Sequence, residues 1–406
     1  MTKVEIILNI FQLILFIYLA GCTLYVFIFS VASLFKLKKI KTLDTKQRKI
    51  VVLIPCYKED EIIEEVISDA LKQDYPKELF DIVLIADHFD RGTIEKIKQY
   101  PIILFDKQFE ISTKTRALNY ALKQFEPNAY DVVVILDADN LMENNFLQKI
   151  NKAFSNPYIA IQAHRSAKNL NTNFAVLDAI SEEINNNIFR KGQRKLGLSS
   201  ALIGSAMAFD FCFFKKMMED VEVVGGFDKE LELNLLKERH VIEYLPNAIV
   251  LDEKVQNVQV FTKQRRRWLS AQFHFFGKHF FPALRDLIMN GNIDYFNKAI
   301  QYIQLPRILL LGILLLISLI SIFVNPIVYT ILWLSATLLI IITLLLAVPR
   351  KFYNFRTVKA LLSLPTGVFS MFFSLISIKG ANKEFIHTKH TYNAFQIKHK
   401  KAPKKE

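Results

Sequence analysis

Two carboxylates one residue apart, Asp137 and Asp139, close the stretch Asp131-Val-Val-Val-Ile-Leu-Asp-Ala-Asp-Asn140. The five apolar residues before them, three of them Val, read as a strand buried on both faces. The acids then sit at that strand's carboxyl edge, which is where ligands bind in open α/β sheets. Paired oxygen donors at such an edge suit a hard divalent cation, Mg²⁺ or Mn²⁺. The alternative is an acidic turn, with Asp used for local hydrogen bonding.

Other residues have chemistry to offer. Asp87 ends the preceding apolar run, as a ligand or as a loop cap. Lys114 and Arg116 open the helix that feeds the Asp137 strand, where cations could reach a phosphate or simply face solvent. In Gln264-Arg265-Arg266-Arg267-Trp268 an indole supplies a flat apolar face and Arg267 a planar fork of donors. An interfacial Trp-Arg anchor has the same composition. Two further acids, Asp228 and Glu230, open the helical stretch after Gly225-Gly226.

These residues need a scaffold. From Lys49 onward short apolar runs alternate with amphipathic helical stretches, the pattern of a mostly parallel sheet flanked by helices. Strands are expected at 50–54, 80–86, 102–105, 132–136 and 159–164, with helices at 61–73, 116–124, 141–154 and 173–195. Val241 to Tyr244 and Ala248 to Leu251 read as a closing, hairpin-like pair. Gly204-Ser205-Ala206 packs small residues, as where backbone approaches a ligand or another chain.

The flanks are different. Ile6 to Phe35 is an uncharged run of 30 residues, more than the ~20 that cross a bilayer. It ends in Lys36, Lys38, Lys39 and Lys41, not in a cleavage site, so it reads as a membrane helix whose following domain is cytoplasmic. Residues 264–289 are rich in Phe, His and basic side chains with no spanning run, which suits interfacial helices. Ile308 to Val324 and Ile327 to Val348 form a transmembrane hairpin about Asn325-Pro326. Ala360 to Ile378 either crosses or re-enters, because a full crossing would carry the basic tail outside. The expected organisation is a helix at 1–36, a basic linker at 37–49, an α/β domain at 50–260, interfacial helices at 261–304, the hairpin at 305–349, the ambiguous segment at 350–380 and a basic tail at 381–406.

Composition agrees. Hydrophobic residues make up 51% of 406, high for a purely soluble chain. The three Cys are scattered, which argues against a disulfide framework. The net charge of +13 resides in clusters flanking apolar runs, which favours anionic membrane lipids as partner over nucleic acid, for which no recognition motif is present.

Taken together, Pro55-Cys56-Tyr57-Lys58-Glu59, Asp137-x-Asp139, Lys114-x-x-Ala117-Leu118-Asn119 and Gln264-x-x-Arg267-Trp268, the last about 125 residues after Asp139 and just before a membrane hairpin, resemble the membrane-embedded family 2 glycosyltransferases. That group contains the cellulose, chitin, hyaluronan and poly-N-acetylglucosamine synthases, and the resemblance covers roughly residues 50–270. It implies a GT-A-like fold and inverting transfer from a UDP-sugar to a hydroxyl of a glycan or lipid acceptor, in an inner cell membrane. By resemblance Asp139 would hold Mg²⁺ or Mn²⁺ with Asp137, and Asp87 would contact uridine. Lys114 and Arg267 would meet the diphosphate, and Trp268 and Gln264 the acceptor.

Many members carry Thr-Glu-Asp where this chain reads Asp228-Lys229-Glu230, which puts Glu230 at the position of the base and leaves Asp228 as a second candidate. The extra methylene of Glu shifts a carboxylate by about an ångström. Phe385-Ile386-His387-Thr388 is similar to the Phe-x-x-Thr gating loop of processive synthases. Two rival functions follow from the same residues: a transferase adding one sugar to a lipid, and a nucleotide-sugar-binding subunit impaired in catalysis. The few membrane segments leave room for an accessory or second identical subunit to complete a channel.

Overall fold

A computed structural model of the chain describes residues 3–219, 221 and 225–377. Strands β1 (Ile50–Tyr57), β2 (Phe80–Asp87), β3 (Ile103–Asp106), β4 (Val132–Ile135), β5 (Leu141–Met142), β6 (Ala160–Ala167), β7 (Met207–Asp210) and β8 (Ile242–Asp252) form one sheet. Their order is β3-β2-β1-β4-β7-β6-β8-β5. The first four are parallel, β7 runs antiparallel to both β4 and β6, and β8 is parallel to β6.

Alternation along β1 divides the core. Ile50, Val52 and Ile54 face helices α2 (Ile63–Ala70), α3 (Arg91–Ile97) and α5 (Phe146–Ala153). Val51 and Leu53 face α4 (Lys114–Lys123), α8 (Phe211–Glu219) and α9 (Phe227–Lys237). All five side chains are fully buried, as period-2 alternation demands of a strand covered on both faces.

Two expectations need correction. Leu141 and Met142 are not the start of a helix. They pair with Leu251 and Val250 as a short edge strand, and α5 begins only at Phe146. Val241 to Leu251 is not a hairpin either. It is one strand, interrupted by a bulge that sets Leu245 beside Ala163 and Ile249 beside His164, while Pro246 and Asn247 project outward. A proline that would break a central ladder is tolerated there because it sits in the bulge.

Helix α6 (Asn173–Asn185) runs on through a π turn (Asn186–Gly192) into the short α7 (Gln193–Lys195). The expected interfacial segment is a single long helix, α10 (Val258–Asn290), capped by Asn257 and ended at Gly291 with φ of 68°. The short α11 (Ile293–Gln301) follows.

Among the described residues three helices are long and apolar enough to cross a membrane: α1 (Lys3–Ser33), α12 (Arg307–Val324) and α13 (Ile327–Ala347). A pair bent by 46°, α14 (Phe355–Leu361) and α15 (Leu364–Ile376), occupies the segment whose topology the charge rule left open. These helices are tied to the sheet domain by polar contacts as well as by apolar packing. Lys351, just after α13, meets Glu183 of α6 at 2.5 Å, and Asn187 Nδ2 of the π turn donates to the Ala347 carbonyl of α13 at 2.7 Å, while Ser30 Oγ of α1 donates to the Thr343 carbonyl and joins α1 to α13.

Candidate active site

The sheet brings the carboxyl ends of β1, β2 and β4 together, and with them most of the acids singled out by sequence. Asp87 is the last residue of β2 and pairs with Tyr57 of β1. Beyond β4, the Leu136 amide still donates to the Leu53 carbonyl, which carries the extended chain to Asp137. Asn140 then closes a tight turn, its side-chain oxygen accepting the Asp137 amide at 3.1 Å.

Asp137 and Asp139 have different surroundings. Lys114 Nζ donates to Asp137 Oδ1 and, at 2.7 Å, to the Gly204 carbonyl. Its position follows from the start of α4, where Thr113 caps the helix by accepting the Arg116 amide. Arg165, on β6, lies 3.7 Å from Asp137 Oδ2. Burial alone would raise the Asp137 pKa, but Lys114 and Arg165 more than offset it and hold the carboxyl below its usual range.

Asp139 is buried, and its two oxygens accept from the Glu253 amide at 2.6 Å and from Asn140 Nδ2 at 3.0 Å. One hydrogen bond to each oxygen fixes the carboxylate and leaves lone pairs over. Hard oxygen donors of this kind fit Mg²⁺ or Mn²⁺. Among the described residues no three His, Cys, Asp or Glu side chains gather closely enough to cage an ion. A cation bound here would take its remaining ligands from a diphosphate and water, the usual habit of Mg²⁺ at phosphate sites.

Behind these acids lies a buried charge network that sequence reading missed. Arg165 reaches Asp252 Oδ2 at 2.9 Å, Glu182 Oε2 at 3.6 Å and Ser205 Oγ at 3.1 Å. Lys254 sits 2.7 Å from the other oxygen of Asp252. Burial, reinforced by Asp139 and Glu182, nevertheless pushes the Asp252 carboxyl up to about 6. One sequence signal was available: the apolar run Ala248 to Leu251 halts on Asp252 just as the earlier run halts on Asp137.

Helix α10 supplies the other wall. Burial draws the Arg267 guanidinium below its usual range, with Asp228 and Asp137 opposing the shift, so both acids lie within its electrostatic reach. Gln264 Oε1 is buried without a hydrogen bond from the described residues. Arg265 turns toward the protein. It binds Asp178 at 2.5 Å, and its guanidinium stacks 4.3 Å from Trp268 and 4.8 Å from Phe261, covering one face of the indole.

The two acids of α9 part company. Asp228 approaches Gly204, whose carbonyl holds Lys114, and faces the site. Glu230 is bound by Lys278 at 2.6 Å, farther along α10, and its second oxygen is buried without a described donor. The structure thus gathers Asp87, Lys114, Asp137, Asp139, Asp228 and Arg267 at one edge and sets Glu230 to the side. Phe385 and Thr388 lie outside the described residues.

A family model described as "Glycosyltransferase like family 2" matches residues 47–271, from just before β1 to just past Trp268. The chain is a family 2 glycosyltransferase. This glycosyltransferase is 25% identical over 273 residues to poly-beta-1,6-N-acetyl-D-glucosamine synthase of Staphylococcus aureus strain COL, with 64% of this chain and 63% of that protein covered. It is 23% identical over 246 residues to the protein of the same name from Staphylococcus epidermidis, covering 57% of each. The glycosyltransferase therefore spans less than two thirds of the length of these relatives. Among solved structures, mannosyltransferase PcManGT from Pyrobaculum calidifontis, in complex with GDP-Man and Mn2+, is similar with a TM-score of 0.59 at 17% identity, over 91% of this chain and 98% of that one. That likeness is one of fold, a GT-A-like mixed sheet flanked by helices.

Proposed function

We propose that this family 2 glycosyltransferase is an inverting membrane enzyme that transfers a sugar from a UDP-sugar to an acceptor hydroxyl, in the synthesis of a polysaccharide. The observation that carries this reading is the meeting of Asp87, Asp137, Asp139 and Lys114 at one sheet edge, with Asp228 and Arg267 beside them. The name shared by the staphylococcal relatives supports a β-linked glycan product.

Each residue has a part in the reaction. Asp87 binds the nucleobase at the end of β2. Lys114 and Arg267 place positive charge where the diphosphate leaves, and Asp137 orients Lys114 through their ion pair. A Mg²⁺ or Mn²⁺ held by Asp139 and Asp137 would neutralise charge developing on that diphosphate. Gln264, whose buried oxygen has no hydrogen-bond donor among the described residues, accepts from an acceptor hydroxyl, and the indole of Trp268 packs against the sugar with the face that Arg265 leaves open. Asp228 takes the proton of the attacking hydroxyl. That oxygen bonds to the anomeric carbon as the bond from this carbon to phosphate breaks on the opposite side, giving inversion and UDP.

Three helices among the described residues long and apolar enough to cross a membrane, and the Lys36 to Lys41 cluster, support a reading in which this chemistry takes place beside the inner face of a cell membrane. The test is to incubate the purified protein with a panel of UDP-sugars and Mn²⁺ and to measure UDP release and product mass. A polymer supports the reading, and a single sugar added to a lipid redirects it to a lipid transferase. UDP binding without turnover reduces the chain to a binding subunit. Asp139→Ala should abolish metal-dependent turnover, and retained turnover would overturn the site assignment.

A further inference from the structure

The fold alone leaves the nucleobase open, since the similar solved structure carries GDP-Man. We propose that His88 selects the base by occupying one oxygen of Asp87, an inference that rests on the nucleotide-sugar reading of this edge.

Asp87 Oδ1 accepts twice, from His88 Nδ1–H at 2.5 Å and from the Phe109 amide at 3.2 Å. A carboxylate only accepts, so the proton lies on the imidazole nitrogen. Two donors use both lone pairs of Oδ1. Among the described residues none donates to Oδ2.

His88 makes its bond from a left-handed backbone, φ 59°, which non-glycine residues adopt at a cost. Its neighbour across the sheet edge, Lys58, is left-handed too at φ 54°, and its amide donates to the Asp87 carbonyl at 3.1 Å. The Tyr57 ring packs edge-on against His88 at 5.6 Å. These contacts fix the imidazole against the carboxylate and leave a single acceptor at the end of β2.

One acceptor oxygen matches a base with one ring N–H between two carbonyls, as in uracil. Guanine presents a ring N–H and an amino N–H side by side and needs both oxygens of a carboxylate as a fork. Cytosine presents a ring acceptor at that position, which a carboxylate repels. Polar groups left unpaired in a binding site discriminate strongly. His88 therefore admits uracil and turns the fork away from guanine.

The test titrates UDP and GDP into the purified full-length protein in lipid nanodiscs at constant Mg²⁺, by calorimetry. Wild type should prefer UDP by at least about tenfold. His88→Gly, which accepts a positive φ without strain, should lower that preference by about tenfold or more, chiefly by tighter GDP binding. His88→Asn tolerates the same backbone and carries an amide donor, so it should restore the preference. An unchanged ratio in His88→Gly, or no restoration in His88→Asn, would overturn the proposal. Equal binding of UDP and GDP by wild type would sink base selection and leave the transferase reading standing. Binding of neither would sink both.

Discussion

Asp228 and Glu230 point to opposite sides of α9: Asp228 approaches Gly204 at the site, whereas Glu230 is tied to Lys278 at 2.6 Å. Residues two apart on an α-helix are separated by about 200°, so only one of them can face the cleft. Glu230 also has one oxygen engaged by Lys278, which holds the carboxylate away from the cleft. Asp228→Asn should therefore lower the rate of sugar transfer by about 10²- to 10⁴-fold with little change in UDP affinity. Glu230→Gln should stay within about tenfold of wild type. Initial rates of UDP release in the presence of acceptor decide between them, and the reverse ranking would return the base to Glu230.

How far the sequence spoke depended on how local the cause was. Strands β1, β2 and β4 were legible because strands buried on both faces are continuous apolar runs, and each ends where the chemistry begins. The short β5 and the bulged β8 were not, since two paired residues leave no periodicity and Leu245-Pro246-Asn247 has the composition of a turn. Nor does sequence rotate a helix: which of Asp228 and Glu230 faces inward depends on α9 docking against α10. The pairing of Arg265 with Asp178, 87 residues away, is equally invisible in sequence because only tertiary packing brings the two together.

Arg165 illustrates the same point and permits a stability test. It is buried among Asp137, Glu182 and Asp252, and its removal strands carboxylates in a low-dielectric interior. Arg165→Met should destabilise the fold by about 3–5 kcal/mol, as expected when one member of a buried ionic group is lost. Adding Asp252→Asn removes one stranded charge and should recover part of the loss. Thermal unfolding of the single and double variants measures this coupling, and strictly additive losses would show that the two residues act independently.

Glu183 carries a pH dependence. Burial by itself would raise its pKa, but His164 and Lys351 more than offset burial and hold the carboxyl at about 2. A folded-state pKa below the unfolded one, near 4.3, means that this group's stabilising contribution is fully present above about pH 4.3 and is lost as pH falls through about 2. The contribution is at most about 3 kcal/mol. Glu183→Gln should be less stable than wild type at neutral pH, and the gap should close as the medium is acidified across that window. Unfolding midpoints of both proteins at a series of pH values check the sign; a gap that widens in acid would refute the assignment.

A close approach between the N-terminal helix and the sheet domain depends on a glycine. Gly192 lies in the π turn after α6, against the backbone of Phe29 in α1. A β-carbon there would sit within the van der Waals shell of the Phe29 carbonyl, 2.9 Å from its carbon and 3.0 Å from the Asn187 oxygen. Backbone atoms of two packed helices cannot give way as a flexible side chain can, so even one methyl group must push α1 off α6. Gly192→Ala should cost roughly 1–3 kcal/mol, as overpacking does in tight cores. Gly21, also in α1, has open space where its β-carbon would stand, so Gly21→Ala is the matched control and should be neutral or slightly stabilising. Thermal unfolding in detergent, followed by tryptophan fluorescence, compares the two. Only Gly192→Ala should lower the midpoint, and equal midpoints would show that α1 is free to shift.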